Sequence, residues 1–144
     1  MSAKLAYHFV DTNILVYAYD THAGEKRLMA SSLLDELWTN HTGCLSIQVL
    51  QEFYATITRK VKNPLDSVNA AQIITDLSAW KIHSPTPQDV ITAIEIHQRF
   101  QINFWDAMIL QSAQSLGCEI VWSEDLNPDQ IYNNVVVSNP FLAH

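Results

Sequence analysis

Glycine, proline and cysteine are all scarce in this chain of 144 residues, which contains 3 Gly, 5 Pro and 2 Cys. So few glycines exclude a glycine-rich phosphate-binding loop, and no Gly-x-Ser-x-Gly nucleophile elbow is present. Cys44 and Cys118 lack the spacing of a zinc site and give no reason to expect a disulfide. A hydrophobic content of 48% predicts one compact domain spanning residues 1–144.

Long hydrophobic runs and basic residues are scarce as well. No apolar run approaches the roughly 20 residues that cross a bilayer, and the N-terminus lacks a signal-peptide layout, so we expect a cytoplasmic protein. The chain has 8 Lys and Arg against 15 Asp and Glu, and its net charge of −7 argues against a general nucleic-acid-binding surface. Three of the basic residues fall together at Arg59, Lys60 and Lys62. They either end a solvated helix or contact phosphate groups beside an acidic site.

Short apolar segments alternate with longer stretches of helical periodicity. This alternation is typical of an α/β fold in which a central parallel β-sheet is flanked by helices. The predicted strands are residues 5–10, 44–46, 81–84, 119–122 and 135–138. The predicted helices are residues 13–19, 25–39, 48–60, 65–79, 88–100 and 104–116, the last ended by Gly117. Two apolar stripes are predicted to face the core, one of Leu28, Leu33, Leu34 and Leu37 and one of Leu50, Phe53, Tyr54, Ile57 and Val61.

Four acidic residues stand where such a fold can gather a ligand. Asp11 and Asp125 each follow a predicted strand, Glu52 lies within a helix, and Asp106 begins another. Open parallel sheets bind ligands at the carboxyl ends of their strands, where these distant carboxylates can converge. Converged carboxylates repel one another unless a hard cation such as Mg²⁺ or Mn²⁺ lies among them. The pattern suggests metal-assisted cleavage of a phosphodiester bond, with Asp11 and Asp106 as metal ligands.

Each of these positions also has a purely structural interpretation. Residues 11–13, Asp-Thr-Asn, are all favoured helix caps, although a cap and a ligand site can coexist. Glu52 shares a semi-polar helical face with small neighbours and can be a solvated surface residue. Asp106 lies on an apolar helical face, which favours a partner or a metal. Alternatively, it is the third residue of a helix that Asn103 caps.

The segment Ser123-Glu124-Asp125 is either a simple turn or part of the site. Its spacing from the strand end directs Ser123 and Asp125 to the same side, which favours Asp125 over Glu124 as the fourth acid. Thr12, Asn13 and Ser123 can brace the carboxylates through hydrogen bonds.

Five segments, at residues 9–15, 49–52, 105–110, 123–126 and 139–141, carry these features in a characteristic order over nearly the whole chain. Together they resemble the PIN-domain nucleases, and among them the VapC-type toxins of bacterial toxin–antitoxin pairs. The resemblance implies a PIN-like α/β/α fold and a Mg²⁺- or Mn²⁺-dependent endoribonuclease. It also implies Asp11, Glu52 and Asp106 as the acidic site, with Asp125 as the less constant fourth member. Ser123 stands where many relatives have threonine, and serine keeps the hydroxyl group.

The resemblance implies partners as well. Family members often form homodimers and are neutralised by a small antitoxin whose tail fills the acidic groove, and a basic tail would suit the net charge of −7. RNA would be the substrate, with Arg59, Lys60 and Lys62 as candidate contacts to its phosphates. Two other functions remain open, namely a degenerate domain that only binds protein and a nuclease directed at DNA.

Overall fold

The computed structural model describes residues 5–142 of the predicted 1–144 domain, and these contain one six-stranded sheet with helices on both sides. The strands are β1 (Tyr7–Val10), β2 (Gly43–Ser46), β3 (Lys81–His83), β4 (Cys118–Trp122), β5 (Ile131–Tyr132) and β6 (Val135–Ser138). Their order is β3-β2-β1-β4-β6-β5, and all neighbours are parallel except β5 and β6. The predicted α/β fold is confirmed. Strand β5 was not predicted, because a two-residue strand is too short to show alternation.

The helices in the described part of the chain are α1 (Thr12–Tyr19), α2 (Glu25–Asn40), α3 (Ile47–Ile57), α4 (Ser67–Leu77), α5 (Pro87–Phe100) and α6 (Phe104–Ser115). Their ends lie within three residues of the predicted ones, because the sequence supplies the capping groups. The side chains of Ser46, Asp66 and Thr86 accept hydrogen bonds from backbone N–H groups in the first turns of α3, α4 and α5. Gly117 has φ +75° after the end of α6, as predicted. Nowhere in residues 5–142 does a helix have the length and hydrophobicity needed to cross a membrane.

The strand order reverses between β1 and β4: β2 and β3 lie on one side of this pair, and β6 and β5 lie on the other. Such a switch point leaves a crevice that open α/β sheets use for ligands. The last residues of the two strands, Val10 and Trp122, are register partners. The backbone N–H of Asp11 then donates to the Trp122 carbonyl at 2.9 Å. Asp11 and Ser123 therefore leave the sheet side by side.

Buried side chains from the strands and the inward faces of the helices form a continuous core, which includes Phe9, Ile14, Leu45, Phe53, Leu110 and Val121. The predicted stripe on α2 is correct for Leu33, Leu34 and Leu37 but wrong for Leu28, which is 68% exposed. Leu28 precedes Leu33 by five residues, so it lies about 140° away around the helix. Ala30 takes the inward position instead. Tyr54 was also predicted for the core, but its side chain is 37% exposed and its hydroxyl pairs with Ser67.

Gly43, the first residue of β2, lies directly against the indole of Trp80. A Cβ at this position would approach three atoms of that ring to 2.5–2.7 Å, which is well inside van der Waals contact. Trp80 also packs edge-to-face against Trp38, with 5.5 Å between ring centroids. This cluster borders a cavity of about 410 Å³ at the amino ends of the first three strands, away from Asp11 and Ser123.

Candidate acidic site

Asp11 is the most buried carboxylate of the predicted site, with 6% of its surface exposed. One carboxylate oxygen, Oδ1, accepts a hydrogen bond from the backbone N–H of Thr12 at 2.7 Å and so caps α1. The other, Oδ2, accepts from the hydroxyl of Ser123 at 2.7 Å and from the amide of Asn13 at 3.5 Å. The capping interpretation is therefore correct, and it leaves Oδ2 among the other polar groups of the site.

The environment of Asp11 opposes its negative charge. Burial raises the pKa of Asp11 to about 7, and the nearby Asp106 and Asp125 add to the increase, while the hydrogen bonds from Ser123 and Thr12 partly counteract it. A carboxyl group with such a pKa is only partly ionised at neutral pH. A cation beside it would favour the ionised form.

Asn13 links the first and last parts of the site. Its Nδ2 donates to Oδ2 of Asp125 at 2.9 Å, and its Oδ1 accepts from the backbone N–H of Glu124 at 3.2 Å. The hydroxyl of Ser123 in turn accepts from the backbone N–H of Asp125 at 3.1 Å. The structure thus brings Asn13 and Ser123 into contact with both Asp11 and the loop after β4.

The side chains of Glu124 and Asp125 have different hydrogen-bond partners. Glu124 accepts a hydrogen bond from the hydroxyl of Tyr17 at 2.6 Å and forms an ion pair with Lys26. Although partial burial opposes it, these two contacts hold the pKa of Glu124 below its ordinary value. Asp125 instead accepts a hydrogen bond from Asn13, which also donates to Asp11. Sequence reasoning missed the contacts of Tyr17 and Lys26 because they span about a hundred residues.

Helix α3 contributes Glu52, which is exposed. The hydroxyl of Thr12 donates to Oε2 of Glu52 at 3.4 Å, and the amide of Gln48 donates to Oε1 at 2.6 Å. Gln48 was not predicted as part of the site, although its spacing of four residues from Glu52 on one helix is a signal that could have identified it.

Helix α6 contributes Asp106. The side chain of Asn103 accepts from the backbone N–H of Trp105 at 2.7 Å and caps the helix, so Asp106 is its third residue, as the alternative interpretation held. Burial raises the pKa of Asp106, and the negative charges of Asp125 and Glu52 raise it further. Asp106 is therefore electrostatically coupled to all three of the other predicted acids, because it also raises the pKa of Asp11.

The donor atoms of this cluster suit a hard cation. Within residues 5–142, no three His, Cys, Asp or Glu side chains converge closely enough to hold an ion between them. Mg²⁺, however, keeps several of its water ligands and needs only one or two protein carboxylates. Asp106 and Asp125 raise the pKa of Asp11, and Asp125 and Glu52 raise the pKa of Asp106, which is expected where like charges lie close together. Oxygen ligands and concentrated negative charge therefore fit Mg²⁺ or Mn²⁺ bound partly through water.

A cavity of about 360 Å³ opens beside the carboxylates, and Thr12, Asn13, Glu52, Thr56, Val61 and Asp125 are among the residues that line it. The candidate phosphate contacts Arg59, Lys60 and Lys62 are exposed in the segment that follows α3. Val61 lies between two of them and forms part of the cavity wall. Lys60 and Lys62 therefore flank a residue of the cavity wall, although none of the three basic residues lines the cavity itself.

The sequence pattern of the PIN domain matches residues 8–134, which is most of the chain. This chain belongs to the PIN-domain family. Among curated protein sequences, no match to this PIN protein is found.

Several solved structures share the fold of this PIN protein. A toxin–antitoxin complex from Klebsiella pneumoniae has 21% identity and a TM-score of 0.68, covering 93% of this chain and 98% of its own. VapBC2 from Rickettsia felis, bound to a DNA fragment from its promoter, has 20% identity and a TM-score of 0.66, covering 92% and 98%. VapC20 from Mycobacterium tuberculosis, a toxin that cleaves the sarcin–ricin loop, has 19% identity and a TM-score of 0.62, covering 79% and 86%. At these identities, the similarity is one of fold.

Proposed function

We propose that this PIN protein is a divalent-metal-dependent endoribonuclease and the toxin of a type II toxin–antitoxin pair. The observation that carries the proposal is that Asp11, Glu52, Asp106 and Asp125 are gathered at the carboxyl edge of a PIN sheet, where Ser123, Asn13 and Thr12 hydrogen-bond to Asp11, Asp125 and Glu52 and where Asp106 raises the pKa of Asp11. A toxin of similar fold is described as cleaving the sarcin–ricin loop, which supports RNA as the substrate. A nuclease that acts on DNA and a domain that only binds protein are the alternatives.

Asp11 and Asp106 are the proposed ligands of Mg²⁺ or Mn²⁺, directly or through water. When bound, such an ion lowers the pKa of coordinated water and places positive charge beside the phosphate. Glu52 and Asp125 would either hold a second ion or, because both are exposed, accept hydrogen bonds from an attacking water and orient it. The hydroxyl of Thr12 donates a hydrogen bond to Glu52 at 3.4 Å, and the amide of Asn13 donates one to Asp125. Ser123 holds Asp11 through its hydroxyl.

We further propose that Arg59, Lys60 and Lys62 contact substrate phosphates. They are exposed, and Lys60 and Lys62 adjoin Val61 in the wall of the cavity that Glu52 and Asp125 line. The chain carries a net charge of −7, so RNA is repelled at long range and local positive charge matters more than the total. A bound cation would offset part of the remaining acidic field.

An antitoxin is the proposed protein partner. Structures of similar fold from K. pneumoniae and R. felis are toxin–antitoxin complexes, and an acidic groove suits a basic peptide tail. The homodimer that the resemblance implies and the cytoplasmic location that the sequence predicts remain predictions.

The main test of the proposed activity is cleavage of a single-stranded RNA oligonucleotide by the purified protein. Cleavage should require Mg²⁺ or Mn²⁺ and should stop when EDTA is added. Asp106→Asn should lower the rate by about 10²-fold, because it removes one negatively charged ligand and keeps the shape of the side chain. Asp35→Asn, the same chemical change at an exposed position of α2, should leave the rate unchanged.

Three outcomes would contradict parts of this proposal. Equal cleavage by Asp106→Asn and the parent protein would place the activity at another site or in a contaminant. Equal cleavage of RNA and DNA oligonucleotides of the same sequence would favour the DNA-directed nuclease. A folded protein that binds no Mn²⁺ in a calorimeter would favour the protein-binding domain.

The two neighbouring acids after β4 should differ in the property that each controls. Asp125→Asn should lower RNA cleavage about tenfold, because asparagine can keep the hydrogen bond to Asn13 but loses the charge. Glu124→Gln should leave cleavage near the parent rate and reduce the free energy of unfolding by up to about 1 kcal/mol, since the ion pair with Lys26 is partly exposed. Single-turnover cleavage and urea denaturation measure the two effects. A larger loss of cleavage in Glu124→Gln would assign the catalytic role to Glu124 instead.

A further inference from the structure

A large exposed aromatic ring stands directly beside the acidic site. Trp105 is 59% exposed, although it adjoins the half-buried Asp106 in the first turn of α6. Its indole packs edge-to-face on the ring of Phe104, with 5.1 Å between centroids. The exposed part of the indole adds little to the core of the protein, and the proposed roles of the carboxylates do not involve it.

Trp105 borders a second cavity of about 360 Å³, together with Gln48, Gln51 and Glu52. Glu52 also lines the cavity that contains Asp125, so the two cavities share this side chain as a common wall. The amide of Gln48 donates to Glu52 at 2.6 Å and to the carbonyl of Trp105 at 3.3 Å. These bonds connect α3 to the start of α6 and hold the indole next to the carboxylates.

The second cavity offers a flat indole and the amide of Gln51, and these are groups that bind a nucleobase. A base stacks on an aromatic ring whatever its identity, and amides can pair with base edges. Beyond Glu52, the first cavity extends to Val61, which lies between Lys60 and Lys62. The surface therefore presents an aromatic ring, then carboxylates, then cations. This order suits one RNA strand whose base lies on the ring and whose following phosphates lie near the cations.

We propose that Trp105 stacks on an unpaired nucleobase next to the phosphate that is cleaved, so that the site takes single-stranded RNA or loops. The inference rests on the proposed nuclease function. A base within a duplex has both faces covered by its neighbours and cannot stack on the indole without leaving the helix.

RNA binding by proteins that carry Asp11→Asn tests the stacking, because the RNA then stays intact. Adding Trp105→Ala should weaken binding of a fluorescent single-stranded oligonucleotide about 5- to 150-fold, whereas Trp105→Phe should keep most of the affinity. Trp38→Ala, which removes a partly exposed tryptophan near the amino ends of the strands, should bind RNA like the protein that carries Asp11→Asn alone. Circular dichroism checks that every variant is folded.

Abasic substitutions in the RNA identify the stacked base. Removing one base at a time should weaken binding at one position, and that loss should disappear when Trp105→Ala is present, because the two changes remove the same contact. Equal binding by the parent and Trp105→Ala, or abasic losses that persist in the variant, would overturn the proposal. A change in oligomeric state with unchanged RNA binding would show instead that the indole contacts a second copy of the chain.

Cleavage kinetics separate the failure of this inference from the failure of the nuclease proposal. If both are correct, Trp105→Ala in a protein with Asp11 intact should raise KM and leave kcat near the parent value. If only the stacking is wrong, Trp105→Ala should cleave with the parent kcat/KM, while Asp106→Asn remains impaired. If the nuclease proposal is wrong, the parent should cleave no RNA, and the binding experiments still decide whether Trp105 stacks on a base.

Discussion

Asp11→Asn should abolish RNA cleavage and also make the metal-free protein more stable at neutral pH. Cleavage should fall by about 10³-fold, since Asp11 is the proposed ligand at the centre of the site and is coupled to both Asp106 and Asp125. Asparagine can still accept the hydrogen bond from the backbone N–H of Thr12, so α1 keeps its cap. The loss of activity should therefore not come from unfolding.

The gain in stability follows from the raised pKa of Asp11, which is about 7 instead of the ordinary 3.8. Between these two values, the folded protein binds a proton that the unfolded chain has released. The free energy of unfolding of the parent should therefore decrease as the pH rises from about 4 to 7 and stay low above that range. Asparagine does not titrate, so the variant should lack the part of this decrease that Asp11 causes and be about 1–3 kcal/mol more stable above neutrality, while Asp106, whose pKa is also raised, still contributes a decrease.

Urea denaturation in EDTA at several pH values measures this effect, with Asp35→Asn as the control for a change of one surface charge. Mn²⁺ should raise the melting temperature of the parent and have a much smaller effect on Asp11→Asn, because ligand binding to the folded state stabilises it. A parent stability that does not change between about pH 4 and 7, or a variant less stable than the parent at about pH 8, would contradict the proposed environment of Asp11.

Gly43→Ala should destabilise the protein by about 2–3 kcal/mol, because the added methyl group overlaps the indole of Trp80. The indole cannot move freely, since Trp80 is buried and packs against Trp38. Chemical denaturation measures the loss. The folded fraction should retain the parent cleavage rate, because Gly43 lies at the amino end of β2 and the carboxylates lie at the other edge of the sheet.

A double-mutant cycle with Trp80→Leu separates this overlap from a general intolerance of side chains at residue 43. Leucine leaves space for the methyl group, so Gly43→Ala should cost at least about 1 kcal/mol less in that background. Strictly additive losses would show that the indole is not what excludes a side chain there.

Much of the fold could be predicted because its signals are local. The caps Ser46, Asp66 and Thr86 begin helices through contacts with residues at most three positions away, and Gly117 ends α6 through its own backbone conformation. The error at Leu28 and the missed strand β5 have a different origin. Which of several leucines faces inward, and whether two residues pair with β6, depends on what the rest of the chain packs against them.

The candidate site likewise combines features that the sequence predicts with contacts that only the folded structure shows. The general rule for parallel sheets was sufficient to predict that Asp11 and Asp125 approach each other, since both follow strands that end at one edge. No comparable rule predicts that Tyr17 and Lys26 bind Glu124, or that Gln48 joins Glu52 to the backbone of Trp105. Each of those contacts depends on side-chain positions that are set by packing between separate helices.

The amino-acid sequence by itself determined the alternation of strands and helices, the positions of the caps and the residues that make this chain a PIN domain, because these depend on periodicity and short spacings. Only the tertiary structure decided that Glu124 forms an ion pair with Lys26, and that an exposed indole borders a cavity that shares Glu52 with the acidic site. Those outcomes depend on the register of β1 against β4 and on the packing of α3 near α6. Both bring together residues that are far apart in the chain.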